Sequence, residues 1–174
     1  MRFALFVTGG QDRRKIPVFS EKATEEDLQV TVAPPRWQTD WTSDYIRNSG
    51  FDLYAFKTQD GELIALGAYE ICVNTVAVHI VYMESQSDSN PVISNQRKYS
   101  HIGRAMIAFG IKLSVDAGFN GDVTLDAKTS ELEEHYSKTF GAIKLPGRYP
   151  SAAPRYLICD AAARDIFTLY LEEE

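Results

Sequence analysis

Between residues 102 and 113 four apolar side chains, Ile102, Met106, Phe109 and Leu113, recur at i, i+4, i+7 and i+11. That spacing draws a single buried stripe along an α-helix. On either side of it the period changes to two. Val76, Val78, Ile80, Tyr82 and Glu84 share one face of a strand, and His79, Val81 and Met83 share the other. Residues 121–127 read as a short strand, and Gly118 suits the left-handed residue that ends the helix. Strand, helix, strand in this order predicts a crossover joining two parallel strands.

Upstream the pattern is a meander. Residues 52–57 and 62–72 read as strands, with a hairpin signal at Asp60-Gly61 and a further turn at Asn74-Thr75. Downstream, Ser130-x-x-Glu133 reads as a capping box opening a helix with Leu132, Tyr136 and Phe140 along one side, closed by Gly141. Residues 155–159 form a late strand. Asp160 caps a last helix over 161–171, with Ile166, Leu169 and Tyr170 toward the core. The first fifty residues are less periodic. Strands are expected at 3–7 and 27–32, a break at Pro34-Pro35, and a short helix carrying Trp37, Trp41, Tyr45 and Ile46. Both tryptophans are expected in the core. Residues 85–96 are a polar loop, longer than most connections. The fold class is therefore α/β with one mixed antiparallel/parallel sheet flanked by helices. It is expected as a single domain with an N-terminal part (1–50), a core (52–142) and a C-terminal strand and helix (143–174).

A length of 174 residues can bury a core without metal or disulfide support. The net charge of −6, with no basic run beyond Arg13, Arg14 and Lys15, argues against a nucleic-acid partner. The two cysteines, Cys72 and Cys159, make neither a disulfide scaffold nor a zinc knuckle, so no metal is expected. The apolar start stops at Thr8-Gly9-Gly10, too short for a signal peptide, and no stretch is apolar enough to span a membrane. A cytoplasmic protein is expected, and a homodimer is compatible with the sequence.

Lys98, Tyr99, Ser100, His101, Ile102, Gly103, Arg104 and Ala105 lead into the strongest helix. The first turn of a helix offers unpaired N–H groups and the positive end of the dipole, which favours an anion. Neither a Walker A pattern nor a dinucleotide fingerprint is present.

Residues 53–142 resemble the core of the GNAT acyltransferase superfamily. Residues 98–103 fall on that family's Gln/Arg-x-x-Gly-x-Gly/Ala acyl-CoA signature, with Lys98 at the leading position and His101 at the first glycine. Residues 135–142 (His-Tyr-Ser-Lys-Thr-Phe-Gly-Ala) are similar to its Leu-Tyr-x-Lys-x-Gly-Phe segment. The resemblance implies an acetyl-CoA or other acyl-CoA co-substrate whose pyrophosphate meets residues 98–105. It implies that pantetheine lies between the strand ending at Glu84 and the strand 121–127, bonded by backbone near Tyr82, Met83 and Glu84. It also implies Tyr136 as the acid that protonates departing CoA thiolate, and Lys128 as a cofactor contact. Glu84 is the first candidate for the base, acting through water, with His79 and Glu70 as alternatives. The acceptor would be an amine on a small molecule or protein. The alternatives are a non-catalytic acyl-CoA-binding module on the same fold and a toxin acting on aminoacyl-tRNA.

Overall fold

The computed structural model describes residues 1–32, 36–89, 96–147 and 152–174. In chain order the elements are β1 (Arg2–Phe3), β2 (Phe6–Gly9), β3 (Lys15–Lys22), α1 (Glu25–Gln29), α2 (Asp44–Arg47), β4 (Asp52–Thr58), β5 (Leu63–Cys72) and β6 (Ala77–Ser85). A 3-10 turn at Ser87–Ser89 precedes β7 (Tyr99–Ser100), α3 (Ile102–Asp116), β8 (Val123–Asp126), α4 (Ser130–Phe140), β9 (Ile143–Lys144), β10 (Arg155–Ile158), α5 (Asp160–Thr168) and β11 (Leu171–Glu172). They gather into two compact units. The first is Met1–Tyr69, Tyr82–Met106 and Glu172–Glu174; the second is Glu70–Val81 and Ile107–Leu171.

The first unit is built on an antiparallel ladder in the order β7-β2-β3-β4-β5. The expected hairpin at Asp60-Gly61 joins β4 to β5, with Gly61 at φ +83. Ala55, Phe56, Ile64, Leu66 and Tyr69 are buried on these strands. Tyr69 donates its hydroxyl to the carbonyl of Met106 at 2.8 Å, tying the start of α3 to β5. Gly67 makes room for this contact, because a Cβ there would lie 2.6 Å from the Tyr69 ring.

The N-terminal part departs from the expected pattern. The strand expected at 3–7 is split into β1 and β2. The strand expected at 27–32 is instead α1, because Thr24 and Asp27 close a reciprocal capping box that fixes a helical start. The run Arg13-Arg14-Lys15 enters β3, with Lys15 as its first residue. The expected helix shrinks to α2, which leaves Trp37 and Trp41 outside it; both are nonetheless buried, as expected. Pro34-Pro35 and half of the polar loop, residues 90–95, lie outside the described residues.

The second unit contains the crossover. β6 pairs with β8 in parallel, Val78 with Val123, His79 with Thr124 and Ile80 with Leu125. β10 then pairs antiparallel with β8 and with β9, so both strand orientations occur. Gly118 (φ +81) and Gly141 (φ +64) end their helices as expected. Other details differ from the expected ones. The cap of α4 is Thr129, whose hydroxyl accepts from the N–H of Leu132, one residue before the expected box. Asp160 is the first residue of α5 rather than its cap. Leu169 is half exposed, while Tyr170 takes the buried position.

Candidate functional site

The stripe that makes α3 a helix also orients its first turn. Ile102 and Ala105 are buried, whereas Gly103 is exposed. A Cβ built on Gly103 would meet nothing within 4 Å, so the approach to the helix start is open on that side. Ala105 N–H bonds the His101 carbonyl, the first rung of the helix. The N–H groups of Ile102, Gly103 and Arg104 precede that rung and have no partner within the helix.

The segment ahead of the helix is held as a strand. β7 pairs with β2, Thr8 opposite Ser100 and Gly9 opposite Tyr99. Lys98 N–H donates to the Asp88 carbonyl at 2.9 Å, Tyr99 N–H to Ser89 Oγ at 3.0 Å, and Gly10 N–H to the Lys98 carbonyl at 2.9 Å. The backbone donors of Lys98 and Tyr99 are thus committed to protein acceptors. The backbone donors without an intrahelical partner belong to the first helical turn.

His101 has φ +65, the left-handed region that favours glycine. Glycine is what the acyl-CoA signature carries there. The His101 ring is drawn toward β2, with Nδ1 3.1 Å from Thr8 Oγ1. Burial, followed by the nearby Arg104 and Arg97, holds its pKa below the usual histidine value, so the ring is neutral near pH 7.

Glu62 gathers the side chains around this segment. Its carboxylate accepts from Lys98 Nζ (2.8 Å), the Tyr99 hydroxyl (2.7 Å) and Gln86 Nε2 (3.0 Å). Burial pushes the Glu62 carboxyl up, but Lys98, Gln86 and Tyr99 together bring it below the usual value. Burial and Glu62 push the Tyr99 phenol up to about 12. Gln86, two residues past Glu84, is fully buried. Glu62, Gln86 and Thr8 escape a sequence reading because their partners are distant along the chain. The one signal was a glutamate directly after a hairpin glycine.

Glu84 sits at the end of β6 and takes both backbone and indole donors. Its carboxylate accepts from Gln38 N–H (2.5 Å), Thr39 N–H (3.3 Å) and Trp41 Nε1 (2.9 Å). Tyr82 packs edge-on against Trp41 and Tyr45 at 6.5 and 6.3 Å, and the next residue, Met83, is half-buried. The neighbouring Tyr45 hydroxyl, followed by burial, raises the Tyr82 phenol.

In the second unit Tyr136 is buried on α4, its ring 6.3 Å from that of Tyr156. Its hydroxyl has no hydrogen-bond partner among the described residues. Burial and then the Asp126 carboxylate raise its pKa, keeping it a phenol. His135, expected at the surface, is exposed, as is Lys128. His79 is enclosed by partners, with Nδ1 2.8 Å from Thr124 Oγ1 and Nε2 3.7 Å from Asp126. Arg155 binds the same Asp126 through Nε (2.8 Å) and a second nitrogen (3.1 Å). Glu70 is exposed on β5. Among the described residues no group of three or more His, Cys, Asp or Glu side chains could hold a metal ion, and no helix is long and apolar enough to cross a membrane.

No protein-family profile matches the sequence, and no curated protein matches it. Solved structures do. An acetyltransferase of the GNAT family from Listeria monocytogenes superposes with TM-score 0.56 at 14% identity, covering 87% of this chain and 98% of its own. Spermidine N-acetyltransferase from Vibrio cholerae, in complex with CoA and spermine, gives TM-score 0.56 at 12% identity, covering 84% and 98%. A GNAT-family acetyltransferase from Staphylococcus aureus gives 0.52 at 11% identity, covering 82% and 98%. With its meander, parallel crossover and signature helix, this chain has the fold of the GNAT acetyltransferases.

Proposed function

We propose that the chain is an acyl-CoA-dependent N-acyltransferase, with acetyl-CoA as the simplest donor. The observation that carries this reading is His101, left-handed at the signature's glycine position, immediately ahead of an open first helical turn. The N–H groups of Ile102, Gly103 and Arg104 would bond the pyrophosphate, aided by the helix dipole. Lys98 is spent on Glu62, so its part is to fix the segment rather than to meet phosphate. Backbone near Tyr82 and Met83 is the proposed partner of the pantetheine amides, and Lys128 a further cofactor contact.

In the reaction an uncharged amine attacks the thioester carbonyl. The C–N bond forms, the C–S bond breaks, and the amine's surplus proton leaves to a base. Tyr136 gives its phenolic proton to the departing thiolate. Its hydroxyl, without a hydrogen-bond partner among the described residues, and its raised pKa suit an acid that stays protonated at neutral pH. Glu84 is the proposed base. A carboxylate has about four lone-pair sites, and three donors already occupy Glu84. One site remains for a water that relays the proton. A cationic amine acceptor, of the kind the Vibrio enzyme holds as spermine, agrees with a chain of net charge −6.

The test is release of free thiol from acetyl-CoA across a panel of amines that includes spermine. Amine-dependent release that falls in Tyr136→Phe is the expected result. Tight CoA binding with no release for any amine would favour the non-catalytic binding module, a reading supported by the three donors that occupy Glu84.

A further inference from the structure

The strand β3 alternates in burial, with Ile16 and Val18 turned inward and Lys15, Pro17 and Phe19 outward. The outward face of such a strand is ordinarily polar. Here it carries a proline and a phenylalanine, and Phe19 is 56% exposed. Phe6 of β2 sits opposite Pro17 and extends the apolar surface across the strand pair. Along this surface, wholly within the first unit, runs a cleft of about 480 Å³ whose lining includes Phe3, Leu5, Phe6, Val18 and Phe19. Its volume falls within the roughly 300–1,000 Å³ of small-molecule sites. Val18 N–H still bonds the Leu5 carbonyl at 2.9 Å. Before Leu5 the chain leaves this ladder, because β1 belongs to a different sheet, and the cleft occupies the gap between the two segments. It follows β3 from Lys15 to Ser20, five residue steps or about 17 Å.

The charged residues of the lining are Arg2, Lys15 and Glu172. Arg2 and Glu172 neutralise each other at 3.3 Å. Lys15 Nζ stands 4.4 Å from the centroid of the Phe6 ring, a cation–π contact that holds the ammonium over the apolar surface. Among the described residues that ammonium has no carboxylate partner. The cleft therefore carries one uncompensated positive charge at one end of an apolar trough, in a chain whose net charge is −6.

We propose that this cleft binds a medium-chain alkyl carboxylate, with the carboxylate on Lys15 and the chain laid along Phe6, Pro17 and Phe19. The single free cation matches a monoanion. The length and narrow apolar lining of the cleft match an extended chain. Phe19, otherwise an exposed phenyl ring, is covered when the ligand is in place. The site is separate from the proposed acyl-CoA site, because none of its lining residues lies in residues 82–105 or 121–136.

The experiment is calorimetric titration of wild type, Lys15→Gln and Phe19→Ser with octanoate and with 1-octanol, which keeps the chain and lacks the charge. Both positions are exposed, so the variants should melt at the wild-type temperature. Wild type should bind one octanoate per chain. Lys15→Gln should weaken octanoate by roughly three- to fivefold, the size of one half-exposed ion pair, and leave octanol unchanged. Phe19→Ser should weaken both ligands by about tenfold, the loss of a half-buried phenyl ring. No saturable octanoate binding by wild type overturns the proposal. So does an octanoate affinity that Lys15→Gln leaves unchanged, or a loss in Lys15→Gln that octanol shares. Displacement of octanoate by acetyl-CoA also overturns it, because the carboxylate would then occupy the acyl-CoA site.

Discussion

His101 Nδ1 lies 3.1 Å from Thr8 Oγ1, so the residue that enters α3 is anchored to a strand more than ninety positions earlier. The contact holds an imidazole to one side at a position whose backbone suits glycine. A non-glycine residue held in the left-handed region costs on the order of 1 kcal/mol.

His101→Gly should therefore bind coenzyme A at least as tightly as wild type. Loss of the Thr8 contact offsets the relief of strain, so its thermal midpoint should move by no more than a few degrees. A large loss of CoA affinity in calorimetry would show that the imidazole itself serves the phosphates. The pH dependence has a definite sign. A histidine with a depressed folded pKa stabilises fully above its unfolded value of 6.5, and that stability is lost as pH falls toward the lower folded value. Melting curves of His101→Gly should be flatter than wild type between about pH 7 and 5.

Tyr136→Phe removes a hydroxyl that has no hydrogen-bond partner among the described residues. Its stability should change little, and its Kd for CoA should hold. Turnover should fall about a hundredfold, the lower end for a lost general acid. A wild-type rate in this variant would remove Tyr136 from the proton path.

Glu84→Ala strips an acceptor from two backbone N–H groups and the Trp41 indole. Part of this network is exposed, so about 1–2 kcal/mol of stability should go. Glu84→Gln keeps one acceptor oxygen and should recover part of it. An unchanged denaturation midpoint in Glu84→Ala would deny the anchor. Turnover lost equally in both variants, beyond any loss of stability, is the mark of the base.

Glu62→Gln should lower the Tyr99 phenol from about 12 toward 10, readable by ultraviolet titration of the tyrosinate. The Glu62 carboxyl is depressed in the folded state, so its stabilisation is present above pH 4.5 and lost as pH falls below it. Acid unfolding of Glu62→Gln should begin from a less stable state and depend less on pH in that range. A Tyr99 titration that does not move would separate the two residues.

What the sequence disclosed follows from how local the cause is. The stripe from Ile102 to Phe109, the hairpin at Asp60-Gly61, and the stops at Gly118 and Gly141 are set within one or two turns of chain, and each is found. The start of the chain was harder to read. Apolar residues at 28, 30 and 32 look like a strand, yet the Thr24–Asp27 capping box turns the segment into α1. At the candidate site, pattern and resemblance pointed to residues 98–105. Their anchors could not be read there, because Thr8, Glu62 and Gln86 are brought in by strand pairing between distant segments.

The proposed role of the start of α3 is to bind the pyrophosphate of a coenzyme A thioester. Thermal unfolding of the wild-type chain with and without acetyl-CoA tests it most directly, with acetyl-pantetheine, which lacks the pyrophosphate, as the comparison. Saturating acetyl-CoA at a hundred times its Kd should add about 2.7 kcal/mol of stability, and acetyl-pantetheine at the same concentration far less. An unchanged midpoint with acetyl-CoA, or an equal rise with both, would show that the helix start does not hold the pyrophosphate.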